Sequence, residues 1–140
     1  MALATTPQIT ASLSLSSPNI TNDAIALSVA TKLNKAATSD TLDQTTGVSR
    51  KFYSGAQTNT LLLNAAEYTD NKAHKVYIKN TSSSPTDYIL VKVGATELGY
   101  LYAGDWLFMP WGADTTSTNA DIDIDTNGSA TVEYAVFYEA

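Results

Sequence analysis

The stretch DIDIDTNGSATVEYAVFY, Asp121 to Tyr138, decides how this chain folds. Asp121, Asp123 and Asp125 alternate with Ile122 and Ile124. A period of two gives a strand one wet and one dry side. Asn127-Gly128 follows, the dipeptide most favoured in a two-residue type I′ hairpin turn. Thr131 to Tyr138 then reads as a further strand.

The same period runs outward through most of the sequence. Ile9, Ala11, Leu13 and Leu15 alternate with Thr10, Ser12 and Ser14, ending at Ser17-Pro18-Asn19. Ile25, Leu27, Val29 and Leu33 mark a second, longer strand. The span 34–49 is polar and reads as a long loop. Strand character returns at Lys51-Phe52-Tyr53, Thr58 to Leu63, His74 to Lys79, Tyr88 to Val93, Leu98 to Tyr102 and Trp106 to Met109. The piece from Asn64 to Tyr68 alone has helical character, about one turn long with Asn64 as its cap. Parallel strands need long crossovers, and the sequence leaves no room for them. The expected fold is all-β: an antiparallel β-sandwich of jelly-roll type, with a small barrel as the alternative closure and helix limited to one or two short turns. Residues 1–20 read as an N-terminal arm or first strand, and residues 21–140 as the sandwich domain.

Composition narrows the function. The chain has 140 residues, a net charge of −6, no cysteine and one histidine. That length suits one domain. Its charged fraction of 16% is low, and 20 threonines help to dress a half-wet pleated surface. A net negative chain without a Lys/Arg cluster is expected to bind no nucleic acid. No apolar run is long enough for a membrane span, and Met1 to Thr6 shows no features of a secretory leader.

Candidate chemistry is sparse. His74 stands among lysines and reads as a solvated strand end. Asp123-Ile124-Asp125-Thr126-Asn127-Gly128 opens like a calcium loop, but its twelfth position is Tyr134 where a bidentate Glu belongs. No nucleophile elbow or phosphate loop occurs. The expectation is no catalysis, no cofactor and no metal.

The aromatic run from Tyr100 to Trp111 is the most unusual feature. It reads as two core strands joined by a turn at Ala103-Gly104-Asp105. Alternation must point large apolar groups of Trp106 to Met109 both ways, so the run reads either as core alone or as core on one side with another chain or loop covering the other. The candidate subunit interface takes Tyr102, Trp106, Phe108 and Trp111 from this run, and Leu3, Ile9, Leu13 and Leu15 from the uncharged first segment, which reads either as the first strand of its own sandwich or as an added strand or arm lying on a neighbouring chain.

Three segments carry a family resemblance: Lys75 to Ser82, Gly99 to Trp111 and Thr131 to Glu139. With the region upstream from Ile25 to Arg50, they resemble small virion structural proteins of tailed bacteriophages, particularly those infecting cyanobacteria. The resemblance implies a part of a phage particle, made in the host cytoplasm. Two roles follow from it. One is a capsid decoration or cement protein, homotrimeric, seated on the major capsid protein and bridging its subunits. The other is a tail, neck or fibre component touching other tail proteins or host glycans. A fainter likeness in cadence links Leu98 to Pro110 with cupin jelly rolls, whose metal-binding histidines this chain lacks.

Overall fold

The computed structural model describes residues 10–17, 25–32, 44–116 and 118–139, and side chains from Thr45 onward, Thr118 excepted. All strand pairs in it are antiparallel, and it contains no α-helix among the described residues. Strands β1 (Thr10–Ser17) and β2 (Ile25–Lys32) pair along their whole length and form a ribbon of their own. The first strand thus pairs within its own chain. The division expected at residue 20 falls between these two partners. Leu3, Ile9, Leu33 and residues 34–43 of the long loop lie outside the described residues.

The remaining strands are β3 (Gln44–Thr45), β4 (Ser49–Tyr53), β5 (Gln57–Leu63), β6 (His74–Asn80), β7 (Tyr88–Val93), β8 (Thr96–Tyr102), β9 (Trp106–Trp111), β10 (Ile122–Thr126) and β11 (Ala130–Tyr138). They form two sheets. One has the order β5-β10-β7-β8, the other β3-β11-β6-β9 with β4 also on β11. Strands β3 and β4 lie end to end along one edge of β11, so each sheet is four strands wide. Between them residues 46–48 oppose only 135–136, a bulge. Gly47 supplies the positive φ of 70° that it needs, and Thr46 Oγ1 accepts the Val136 N–H.

The pairing is nested. From β4 to β11, first pairs with eighth, second with seventh, third with sixth and fourth with fifth. Alternate rungs of this long hairpin fall in opposite sheets. This overturns two local expectations. Strands β8 and β9 are not partners across a tight turn, because the turn at 103–105 carries the chain from the edge of one sheet to the edge of the other. Asn127-Gly128 makes no type I′ hairpin: neither residue has positive φ, and β10 and β11 lie in different sheets. The Asn127 side chain is spent elsewhere. It accepts the Tyr88 N–H and donates to the Thr86 carbonyl, tying this corner to the start of β7.

The core fills the space between the sheets. Val76, Ile78, Val132 and Val136 meet Ile89, Val91, Ile122 and Ile124, all with no exposed surface. Buried Asn80 links the layers from β6. Its amide donates to the carbonyls of Asp87 and Leu101, and its Oδ1 accepts the Ser82 N–H. A fully paired amide of this kind fixes the relative placement of the strands it joins. The expected helical turn is a 3-10 turn over Ala65–Glu67, with Asn64 Oδ1 accepting from the Ala66 N–H.

Candidate interaction surface

The outward residues of the two sheets follow from the same alternation. In β6, Val76 and Ile78 enter the core while Lys75, Tyr77 and Lys79 stay half exposed outside. In β9, Leu107, Met109 and Trp111 face inward, leaving Trp106, Phe108 and Pro110 outside. Register then sets rows across the outer face. Trp106, Lys79, Glu133 and Arg50 form one row. Phe108, Tyr77 and Ala135 form the next, and Pro110, Lys75 and Phe137 the third. Phe52 stands beyond the first row, opposite Thr131 and 66% exposed.

This face carries three cations, Arg50, Lys75 and Lys79, and one carboxylate, Glu133. Glu133 is held in place. Arg50 approaches it at 2.7 Å and the Tyr77 hydroxyl donates to it at 3.0 Å. The Arg50 contact chiefly, then Tyr77, keeps its pKa below the ordinary value. Lys79 adds a weaker attraction without reaching salt-bridge distance. The rings of Phe108 and Phe137 meet at 6.4 Å.

The outer face of the other sheet has the opposite sign. Leu61, Asp123, Lys92 and Glu97 form one row; Asp125, Leu90 and Tyr100 form another. Lys92 is only 8% exposed, an unusual place for an ammonium. It is matched there: Nζ lies 2.5 Å from Asp125 and donates to Asn59 Oδ1 at 2.9 Å. Asn59 takes a φ of 46° to bring its own N–H onto the same Asp125 carboxylate. Burial acts to raise the Asp125 pKa, but these contacts outweigh it and leave it lowered. Asp123 is raised, by burial first and by repulsion from Asp121 next. The carboxylates that opened like a calcium loop thus surround a built-in ammonium. No group of three metal-ligating side chains assembles among the described residues.

The proposed interface residues separate. Trp106, 50% exposed, and Phe108 share the cationic face. Tyr102 lies on the anionic face, where it and Tyr100 pack edge-on against Tyr88. Leu13 and Leu15 sit on β1 opposite Val29 and Leu27. Trp111 is a correction: it is 4% exposed, part of the chain's own core, and its indole N–H donates to the Ala120 carbonyl. The alternation had already put it in phase with Leu107 and Met109.

His74 is the second correction. It is 2% exposed and boxed by Tyr68, Trp111 and Tyr138, with neither ring nitrogen hydrogen-bonded to a side chain. Burial lowers its pKa, and the Lys72 backbone and Glu139 offset this in part. It begins β6 in phase with Val76 and Ile78, a signal that its lysine neighbours obscured. Sequence reasoning also passed over Lys75, Lys79 and Arg50 as one cationic face, because only register brings them together. Compared with known proteins, the chain matches no family model, no curated protein and no solved structure.

Proposed function

We propose that this chain is a structural protein of a tailed-bacteriophage virion: a decoration or cement protein that assembles as a homotrimer, sits on the major capsid protein and bridges its subunits. The observation that carries this reading is the one-sided surface. A small sandwich with a cationic, aromatic face and an anionic opposite face is suited to lie flat on a larger partner in one orientation. The resemblance of Lys75 to Ser82, Gly99 to Trp111 and Thr131 to Glu139 to phage virion proteins supplies the particle. The fold is read as a jelly roll, an architecture that capsid proteins use. The four nested strand pairs support that reading. No chemistry is assigned to the chain.

A second reading places it in the tail, neck or fibre, touching other tail proteins or host-surface glycans. It is favoured by Tyr100 and Tyr102, which stand about half exposed on the anionic face and could stack on sugar rings. Gold-labelled antibody on intact particles, together with the copy number per virion, tests both. Labelling over the whole shell in step with the capsomers supports the cement reading. Labelling confined to the tail overturns it in favour of the second, and absence from the particle removes both.

A further inference from the structure

We propose that the outer face of β4-β11-β6-β9 binds a carboxylate-rich protein surface, with Lys75 and Lys79 as its contact cations and Trp106 as its apolar anchor. This rests on the virion reading above and names the chemistry of the partner.

Most cations of the sandwich are already committed. Lys92 is buried on Asp125, Lys72 pairs with Glu139, and Arg50 pairs with Glu133. Lys51 donates to the Leu61 carbonyl and lies over the Tyr53 ring. Lys75 and Lys79 have no carboxylate within salt-bridge distance among the described residues. They are four residues apart on one strand and one face, so their backbone positions are about 13 Å apart. Tyr77 and Phe108 lie side by side between them. Two uncompensated cations flanking an aromatic row, on a chain with a net charge of −6, mark where an acidic partner is attracted and the rest of the surface is not.

The same observations disfavour nucleic acid. Phosphate backbones are held by many cation contacts, and this face offers two free ones on a chain that otherwise repels polyanions.

The experiment is rebinding of the purified protein to capsids prepared without it. Wild type is compared with the double variants Lys75→Glu/Lys79→Glu and Lys75→Gln/Lys79→Gln, each first shown to keep the wild-type circular dichroism spectrum and melting temperature. The expected result is a loss of affinity of about tenfold or more for the Glu variant, with the Gln variant between. Raising salt from about 50 to about 300 mM should weaken wild type more than either variant. Equal binding by wild type and both variants overturns the inference and leaves the virion reading standing. Binding abolished by nuclease treatment of the capsids assigns the face to nucleic acid and overturns it too. If wild type does not bind the capsids at all, the cement reading fails and the inference falls with it.

Discussion

On the outer face of β5-β10-β7-β8, three carboxylates share one cation, and that cation is buried. On the outer face of β4-β11-β6-β9, three cations share one carboxylate, and two of the cations reach solvent without an ion pair among the described residues. Both faces come from the same two-residue alternation. The difference lies in what each charge is bound to. A buried ion pair is locked by the cost of separating it, whereas an exposed charge remains available. The anionic face keeps its cation within the sheet's own surface, where it ties β7 to Asp125 of β10 and Asn59 of β5. On the cationic face, Lys75 and Lys79 pair with no carboxylate among the described residues.

This contrast can be broken at several points. The sidedness of β9 is the most sensitive. Trp111→Ala should cost about 4 kcal/mol, because it empties a core position and strands the Ala120 carbonyl. Trp106→Ala on the same strand should cost less than about 0.5 kcal/mol. Urea unfolding of the two variants measures both, and similar losses would show that the faces have been assigned wrongly. The two kinds of lysine come next. Lys92→Met leaves Asp125 half-buried and unpaired and should cost about 3 kcal/mol. Lys79→Met should stay within about 0.5 kcal/mol in the same titration.

Gly94 ends β7 with a φ of 56°, and a Cβ there would run into the Asn119 backbone. Gly94→Ala should therefore cost about 2 kcal/mol by thermal melting, with no change in the response to salt. The smallest effect is a slope. His74 is neutral in its aromatic box with a lowered pKa, so the unfolded chain takes up a proton before the folded one does. Its contribution is complete above its ordinary value of 6.5 and is lost as pH falls below that toward the folded value. Wild type should lose melting temperature between pH 7.5 and pH 5.5, and His74→Leu should flatten that slope. An unchanged slope in the variant would mean that other groups carry the acid response.

Much of the fold was legible because the alternation is local. The strand at Ile25–Lys32, the compact strand at His74–Asn80, the capped turn at Asn64 and the break at Gly94 all follow from neighbours within a few residues. Which sheet each strand joins was not legible, since β4 finds β11 some 80 positions away. Asn127-Gly128 shows the limit. Its turn chemistry announces a reversal but does not say whether the next strand stays in the sheet or crosses the core. The surface was legible in part. Trp106 and Phe108 stood out as large apolar groups pointing away from the core, but the cations around them come from β4 and β6 and meet only through register. Composition also misled at His74, where lysines on both sides masked an inward phase.

β11 lies C-terminal to every other strand of the sandwich, yet it is the interior strand between β4 and β6. During synthesis those two strands cannot gain their common neighbour until residues 130–138 have left the ribosome. Until then each keeps a row of unsatisfied backbone donors and acceptors, open to any passing strand. The β4-β11-β6 part of the sandwich therefore closes only once β11 is present. A nascent chain halted before Ala130 should bind chaperones more than one extended past Tyr138.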